Sequence, residues 1–181
     1  MTKFMKEMIS NLLYVLIVLG VAGLLVNFVG QRTEVDGASM EPTLADGDHL
    51  MVDKLSYRFH EPERFDIVVF PFQQEENTYY IKRIIGMPGE TIQIDEKGNI
   101  YIDGKILEES YGREIIRADR RGLAAEPVKL AEDEYFVMGD NRNNSSDSRV
   151  KAVGNVKRKD VIGKAWLRIW PLSRFSVLKH Q

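Results

Sequence analysis

Ser39 and Lys82 are the two residues whose type and setting suit covalent chemistry. Ser39 stands in Asp36-Gly37-Ala38-Ser39-Met40-Glu41-Pro42-Thr43-Leu44. Gly37 permits unusual backbone angles there, while Pro42 fixes its own φ and restricts Glu41. A serine on such a bend is held stiffly on one side and adaptably on the other, which suits a nucleophile, although an ordinary turn has the same composition. A serine at its free pKa is a weak nucleophile and needs a positioned base. Lys82 is the candidate. It sits in Thr78-Tyr79-Tyr80-Ile81-Lys82-Arg83-Ile84-Ile85, where strand alternation sends Tyr80, Lys82 and Ile84 to one face and Arg83 to the other. Desolvation on an apolar face disfavours the ammonium, so the pKa falls towards working pH, where the free amine can take a serine proton. The competing reading is a lysine that reaches water from an edge strand.

A third stretch, Gly139-Asp140-Asn141-Arg142-Asn143-Asn144-Ser145-Ser146-Asp147-Ser148-Arg149, is dense in short hydrogen-bonding side chains. A hydroxyl from such a loop can satisfy a neutral lysine, and Asp147 can pair with an arginine and stiffen the site. The stretch opens like a calcium loop, but Arg142 occupies the third position and no glycine follows in place. Asn-x-Ser at Asn143 and Asn144 is a common chance match.

These residues need elements to hold them. The chain has 181 residues, 44% of them hydrophobic, enough for one domain with a sizeable core, with or without an appended segment. A formal net charge of −2 without a basic patch argues against nucleic acid as a partner. The absence of cysteine removes disulfides, thiolate metal sites and a cysteine nucleophile. His49, His60 and His180 have no metal-ligand spacing, so neither a metal nor a cofactor is implied.

From Leu12 to Val29 the chain carries no charge, a run of about 27 Å as a helix and longer if Met8 to Asn11 extend it, which suits a membrane span. No small-x-small cleavage site follows, because Asp36-Gly37-Ala38 has an acid at the critical third position, so the expectation is an uncleaved anchor. Lys3 and Lys6 before the run favour a cytoplasmic N-terminus in a single-pass protein of the cell membrane, weakly, since Glu7 dilutes the bias. Residues 1–31 then form the cytoplasmic N-terminus and anchor, and residues 32–181 an extracytoplasmic catalytic domain. Within it, His49–Asp53, Asp66–Phe72, Thr78–Ile85, Thr91–Asp95, Asn99–Asp103, Glu134–Met138 and Val161–Trp170 are rich in Val, Ile, Tyr and Phe and read as strands. Lys97-Gly98 closes a predicted hairpin. Residues 104–133, with the charge run Arg113–Arg121, read as a surface excursion. The fold class expected is mostly β, behind an N-terminal transmembrane helix.

In this order, the N-terminal span, GASMEPTL, DIVVF, YIKRIIGMPGE and FVMGDNRNNSSDSR resemble the bacterial type I signal peptidases, in the compact single-span form of Gram-positive bacteria. The resemblance covers nearly the whole chain. It implies a catalytic domain of packed, twisted β-sheets shared with self-cleaving repressors, with Ser39 as nucleophile and Lys82 as general base. By the same resemblance Ser145 helps position the lysine amine, and Asp147 with Arg149 and Arg83 holds the wall of the site. The implied substrates are secretory preproteins cut after small-x-small sequences, at the membrane lipid and near the export machinery. One departure is Gly37, which stands where longer members carry a serine whose hydroxyl serves the oxyanion hole. The self-cleaving repressors themselves are soluble and carry a DNA-binding module, and the eukaryotic-type peptidases have histidine where Lys82 stands. A rival of another class is a catalytically silent, membrane-tethered module that binds extended peptides at a sheet edge.

Overall fold

The helix α1 (Lys3–Val29) runs without a linker into β1 (Gly30–Glu34) in the computed structural model, whose described residues are 3–178. The helix extends nine residues further towards the N-terminus than the predicted span. The side chains of residues 3, 4, 21, 22 and 24–29, which include much of that span, lie outside the described residues, as does His180. Among the described residues no helix is long and apolar enough to cross a membrane. Along the described part of α1 the apolar side chains are exposed on every side, with Leu12 60% and Leu19 63% accessible.

Eleven further strands follow: β2 (His49–Asp53), β3 (Ile67–Pro71), β4 (Tyr79–Gly86), β5 (Thr91–Ile94), β6 (Ile100–Ile102), β7 (Lys105–Ile106), β8 (Val128–Lys129), β9 (Glu134–Met138), β10 (Val156–Lys157), β11 (Gly163–Trp170) and β12 (Ser176–Val177). All pairings are antiparallel, so the chain is mostly β as expected. The larger sheet runs β1-β2-β11-β3-β4-β9-β10, with β12 beside β11, and the smaller runs β7-β6-β5-β8. The seven predicted strands are present within a few residues at either end, and β5 and β6 form the predicted hairpin.

The central strands are buried on both faces, which places the candidate residues. On β9, Tyr135 and Val137 point into one apolar cluster with Val68, Phe70 and Ile84, whereas Phe136 and Met138 point into another with Ile85, Ile92 and Ile94. β4 lies between β3 and β9 and shares both clusters. A residue on either face of its second half therefore leaves water. Each fully buried Ile or Val there contributes about 1.5–3 kcal/mol, which fixes the register and so the two charged side chains carried with it.

The stretch 104–133 differs from the expected surface excursion. Its charge run is exposed, but Ile116, Ala124 and Leu130 are buried in the cluster between the sheets, and the stretch supplies β7 and β8. Arg113 N–H donates to Asp140 O at 2.8 Å, and Arg117 N–H to Asn143 Oδ1 at 2.9 Å. The stretch is thus tied to the loop after β9.

Candidate active site

Ser39 is carried on a short turn whose two apolar ends are sunk into the core. Leu44 N–H donates to Met40 O at 2.9 Å, and the Met40 and Leu44 side chains are wholly buried beside Val35, Leu50 and Ile67. Gly37, three residues earlier in the bend than Met40, has φ +87, a left-handed conformation that a side chain adopts only with strain. Asn141 clamps the turn from across the molecule: its N–H donates to Ser39 O at 3.1 Å and its Nδ2 to Ala38 O at 3.0 Å. Both carbonyls beside Ser39 are thereby occupied. No hydrogen bond engages the Ser39 N–H among the described residues.

Lys82 comes from β4 and is 4% exposed. The predicted alternation holds, since Lys82 pairs with Val68 and Tyr80 with Phe70, all on one face, and Arg83 lies on the other. Lys82 Nζ is 2.8 Å from Ser39 Oγ and donates to Ile81 O at 2.9 Å. Burial lowers the lysine pKa from 10.5 to about 8, against the pull of the Asp147 and Asp140 charges, which favour the ammonium. A cleft of about 230 Å³ opens over the pair, lined by Thr33 and Glu34 of β1, by Asp36, by Tyr79–Ile81 of β4 and by Ser146.

Two buried ion pairs frame the pair of residues. Arg149 grips Asp147 through Nε and a terminal nitrogen, each at 2.8 Å, and Gly139 N–H donates to Asp147 at 3.0 Å. Burial pushes the Asp147 carboxyl up, but the Arg149 hydrogen bonds and charge, with the Gly139 amide, outweigh it and hold the carboxyl below the ordinary aspartate range. Arg83 is not part of that cluster. It forks onto Asp140 at 2.8 and 2.7 Å, donates to Phe65 O at 3.0 Å, and lies 3.6 Å over the Tyr111 ring. Thr43 Oγ1 also donates to Asp140, at 2.5 Å. The resemblance grouped Arg83 with Asp147 and Arg149; in the structure Arg83 pairs with Asp140 and Arg149 with Asp147.

Ser145 also differs from expectation. Its buried hydroxyl lies against Asp147 and helps hold that carboxylate ionised, and among the described residues the acceptor on the lysine amine is Ile81 O instead. Gly139 explains how closely these groups approach. A Cβ there would lie 2.3 Å from Ser39 O and 2.4 Å from Ser145 Oγ. Backbone cannot yield cheaply to such an overlap. Gly139→Ala is therefore expected to cut peptidase activity by about 100-fold through displacement of Ser39 and to lower thermal stability. Unchanged activity in a steady-state assay would disprove the tight fit. Asp140, Asn141, Thr43 and Tyr111 were not singled out from the sequence. The density of short polar residues in Gly139–Arg149 marked the loop, but no local signal names their partners.

Comparison with known proteins defines the class as serine peptidase. More narrowly, the chain belongs to the family described as signal peptidase, peptidase S26, whose model matches residues 7–170. It is 41% identical over 156 residues to a probable signal peptidase I-2 of Synechocystis sp., covering 83% of this chain and 68% of the relative. It is 38% identical over 170 residues to signal peptidase I P of Bacillus subtilis subsp. natto, covering 91% and 90%. A crystal structure of a signal peptidase I from Enterococcus faecalis matches at 34% identity and a TM-score of 0.48, over 58% of this chain and 97% of that one.

Proposed function

We propose that this chain removes signal peptides from secretory preproteins by acyl transfer, with Ser39 as nucleophile and Lys82 as general base. The observation that carries this reading is the buried lysine nitrogen, 2.8 Å from a serine oxygen, at the floor of an open cleft. With the amine neutral, the Ser39 hydroxyl donates its proton to the Nζ lone pair as Oγ attacks the scissile carbonyl. The Ser39 N–H, which has no other partner among the described residues, faces the developing oxyanion. As the carbon–nitrogen bond breaks, the Lys82 ammonium returns the proton to the leaving amine. Water, deprotonated by the same lysine, then hydrolyses the ester. Ser145 acts beside Asp147 rather than on the amine, and the Asp147–Arg149 and Arg83–Asp140 pairs hold the loop after β9 in place. These groups act without a cofactor.

An extended substrate fits the cleft because two strand edges meet it unpaired. β1 is the outermost strand of its sheet, and residues 79–82 of β4 pair with β3 on one side only, since β9 joins at Arg83. The small volume favours small side chains beside the cut. The helix α1 anchors the enzyme in the lipid with its N-terminus cytoplasmic, the cleft outside and the export machinery nearby, so that substrate and enzyme share one surface.

Purified protein in detergent, given a preprotein, should release the mature chain with a new N-terminus after a small-x-small sequence. A peptide-binding module would retain the preprotein uncut. In cells, the full-length protein should remain with membranes after carbonate extraction, and its appearance in the soluble fraction would remove the anchor from this reading.

A further inference from the structure

We propose that the face of Tyr80 is a positioning element for the Lys82 proton: it holds the ammonium that forms when Ser39 is deprotonated and thereby sets the pH at which the amine is free. This rests on the reading of Lys82 as the base. Lys82 Nζ lies over the Tyr80 ring, 5.0 Å from its centroid, within the roughly 6 Å reach of a cation–π contact. The ring itself is fixed. Phe72 stacks on it with centroids 4.7 Å and planes 5° apart, and Phe70, its partner across the β3–β4 pair, meets it edge-on at 6.2 Å and 73°.

The amine is under two opposed pulls. Burial removes the water that would stabilise a cation, and taken alone would make Lys82 a feeble base. The charged groups acting on it are Asp147 and Asp140 from the loop after β9, each already held by an arginine, while Glu34 and Asp36 line the same cleft. A further carboxylate against the amine would favour the cation too, but it would bring water and compete for the proton. An aromatic face favours the cation through its quadrupole and can do neither. Tyr80 also lines the cleft, so its ring caps the amine towards substrate.

Two roles for the ring predict opposite shifts. If it only excludes water, replacing it hydrates the amine and raises the lysine pKa. If its face holds the cation, an apolar replacement of similar cover lowers the pKa. The experiment is the pH dependence of kcat/KM for wild type, Tyr80→Phe and Tyr80→Leu, together with NMR titration of the Lys82 amine in protein carrying ε-13C lysine. Tyr80→Phe should leave the acid limb in place. Tyr80→Leu should move its midpoint, and the NMR midpoint with it, down by about 0.4 to 1.5 pH units. An unmoved or raised midpoint overturns the proposal. Should Tyr80→Leu not fold, Phe72→Leu, which removes the buttressing ring, should give a smaller shift in the same direction, and its failure to do so counts equally against the idea. Failure here is distinct from failure of the general-base reading: that reading falls if Lys82→Arg still processes substrate, whereas an inactive Lys82→Arg beside an unshifted Tyr80→Leu removes Tyr80 alone.

Discussion

Lys82→Arg is expected to abolish processing, with kcat/KM reduced by about 10³-fold or more, although it keeps the positive charge. A guanidinium stays protonated at any pH the protein survives and cannot accept the Ser39 proton. A lysine that merely reached water would tolerate the exchange, so processing near the wild-type rate would end the general-base assignment. In the wild type, activity should climb about tenfold per pH unit below pH about 8, the value to which burial lowers the amine, and level off above it. Lys82→Met should be as inactive, yet more stable. Because the folded pKa lies below the unfolded one, the folded state binds fewer protons, and the resulting cost is complete below about pH 8, shrinks up to 10.5 and vanishes beyond. A shift from 10.5 to about 8 corresponds to about 3 kcal/mol. Loss of the hydrogen bonds to Ser39 and Ile81 offsets about 1–2 kcal/mol. Chemical denaturation should thus show Lys82→Met ahead by about 1–2 kcal/mol at pH 6, with the lead gone by pH 10.5. A lead independent of pH would mean that packing, not ionisation, is responsible.

Asp140→Ala should cost about 3–5 kcal/mol of stability. Asp140 is wholly buried and Arg83 is 1% exposed. Removing the carboxylate strands a guanidinium held by two hydrogen bonds and also deprives Thr43 of its acceptor. The buried pair as a whole need not be strongly stabilising, because desolvation cancels much of its attraction. The double variant Arg83→Met with Asp140→Leu should therefore recover much of the loss in thermal denaturation, since no lone charge remains. A double variant as unstable as Asp140→Ala would refute this account. Activity should not return with stability, because Thr43, in the turn that carries Ser39, would still lack its tie to the loop after β9.

How far this site can be read from the sequence follows from the range of each signal. Lys82 was legible because strand alternation is local: Tyr80, Lys82 and Ile84 share a face whatever lies across from them, and Ile84 shows that face to be apolar. The same alternation put Arg83 on the opposite face, but nothing local states that Asp140 waits there, or that Tyr111 supplies a ring above it. The longer strands were visible as runs of branched and aromatic residues. β1, with the polar sequence Gly30–Glu34, was not, since it is held by pairing with β2 rather than by its own propensity. The two-residue strands β7, β8, β10 and β12 escaped for the same reason. In residues 104–133 the abundance of charge hid three buried apolar anchors, Ile116, Ala124 and Leu130.

The clamp from Asn141 carries a consequence in time. Asn141 and the Ala38 carbonyl it grips are 103 residues apart in the chain, and the Thr43–Asp140 bond closes a loop of similar size. Such contacts come late in folding, because the entropy of closing a long loop is lost before the contact returns anything. During synthesis the serine and lysine both emerge well before the loop that fixes their geometry. Both side chains are therefore made before the geometry that joins them, which is completed only when the segment after β9 docks.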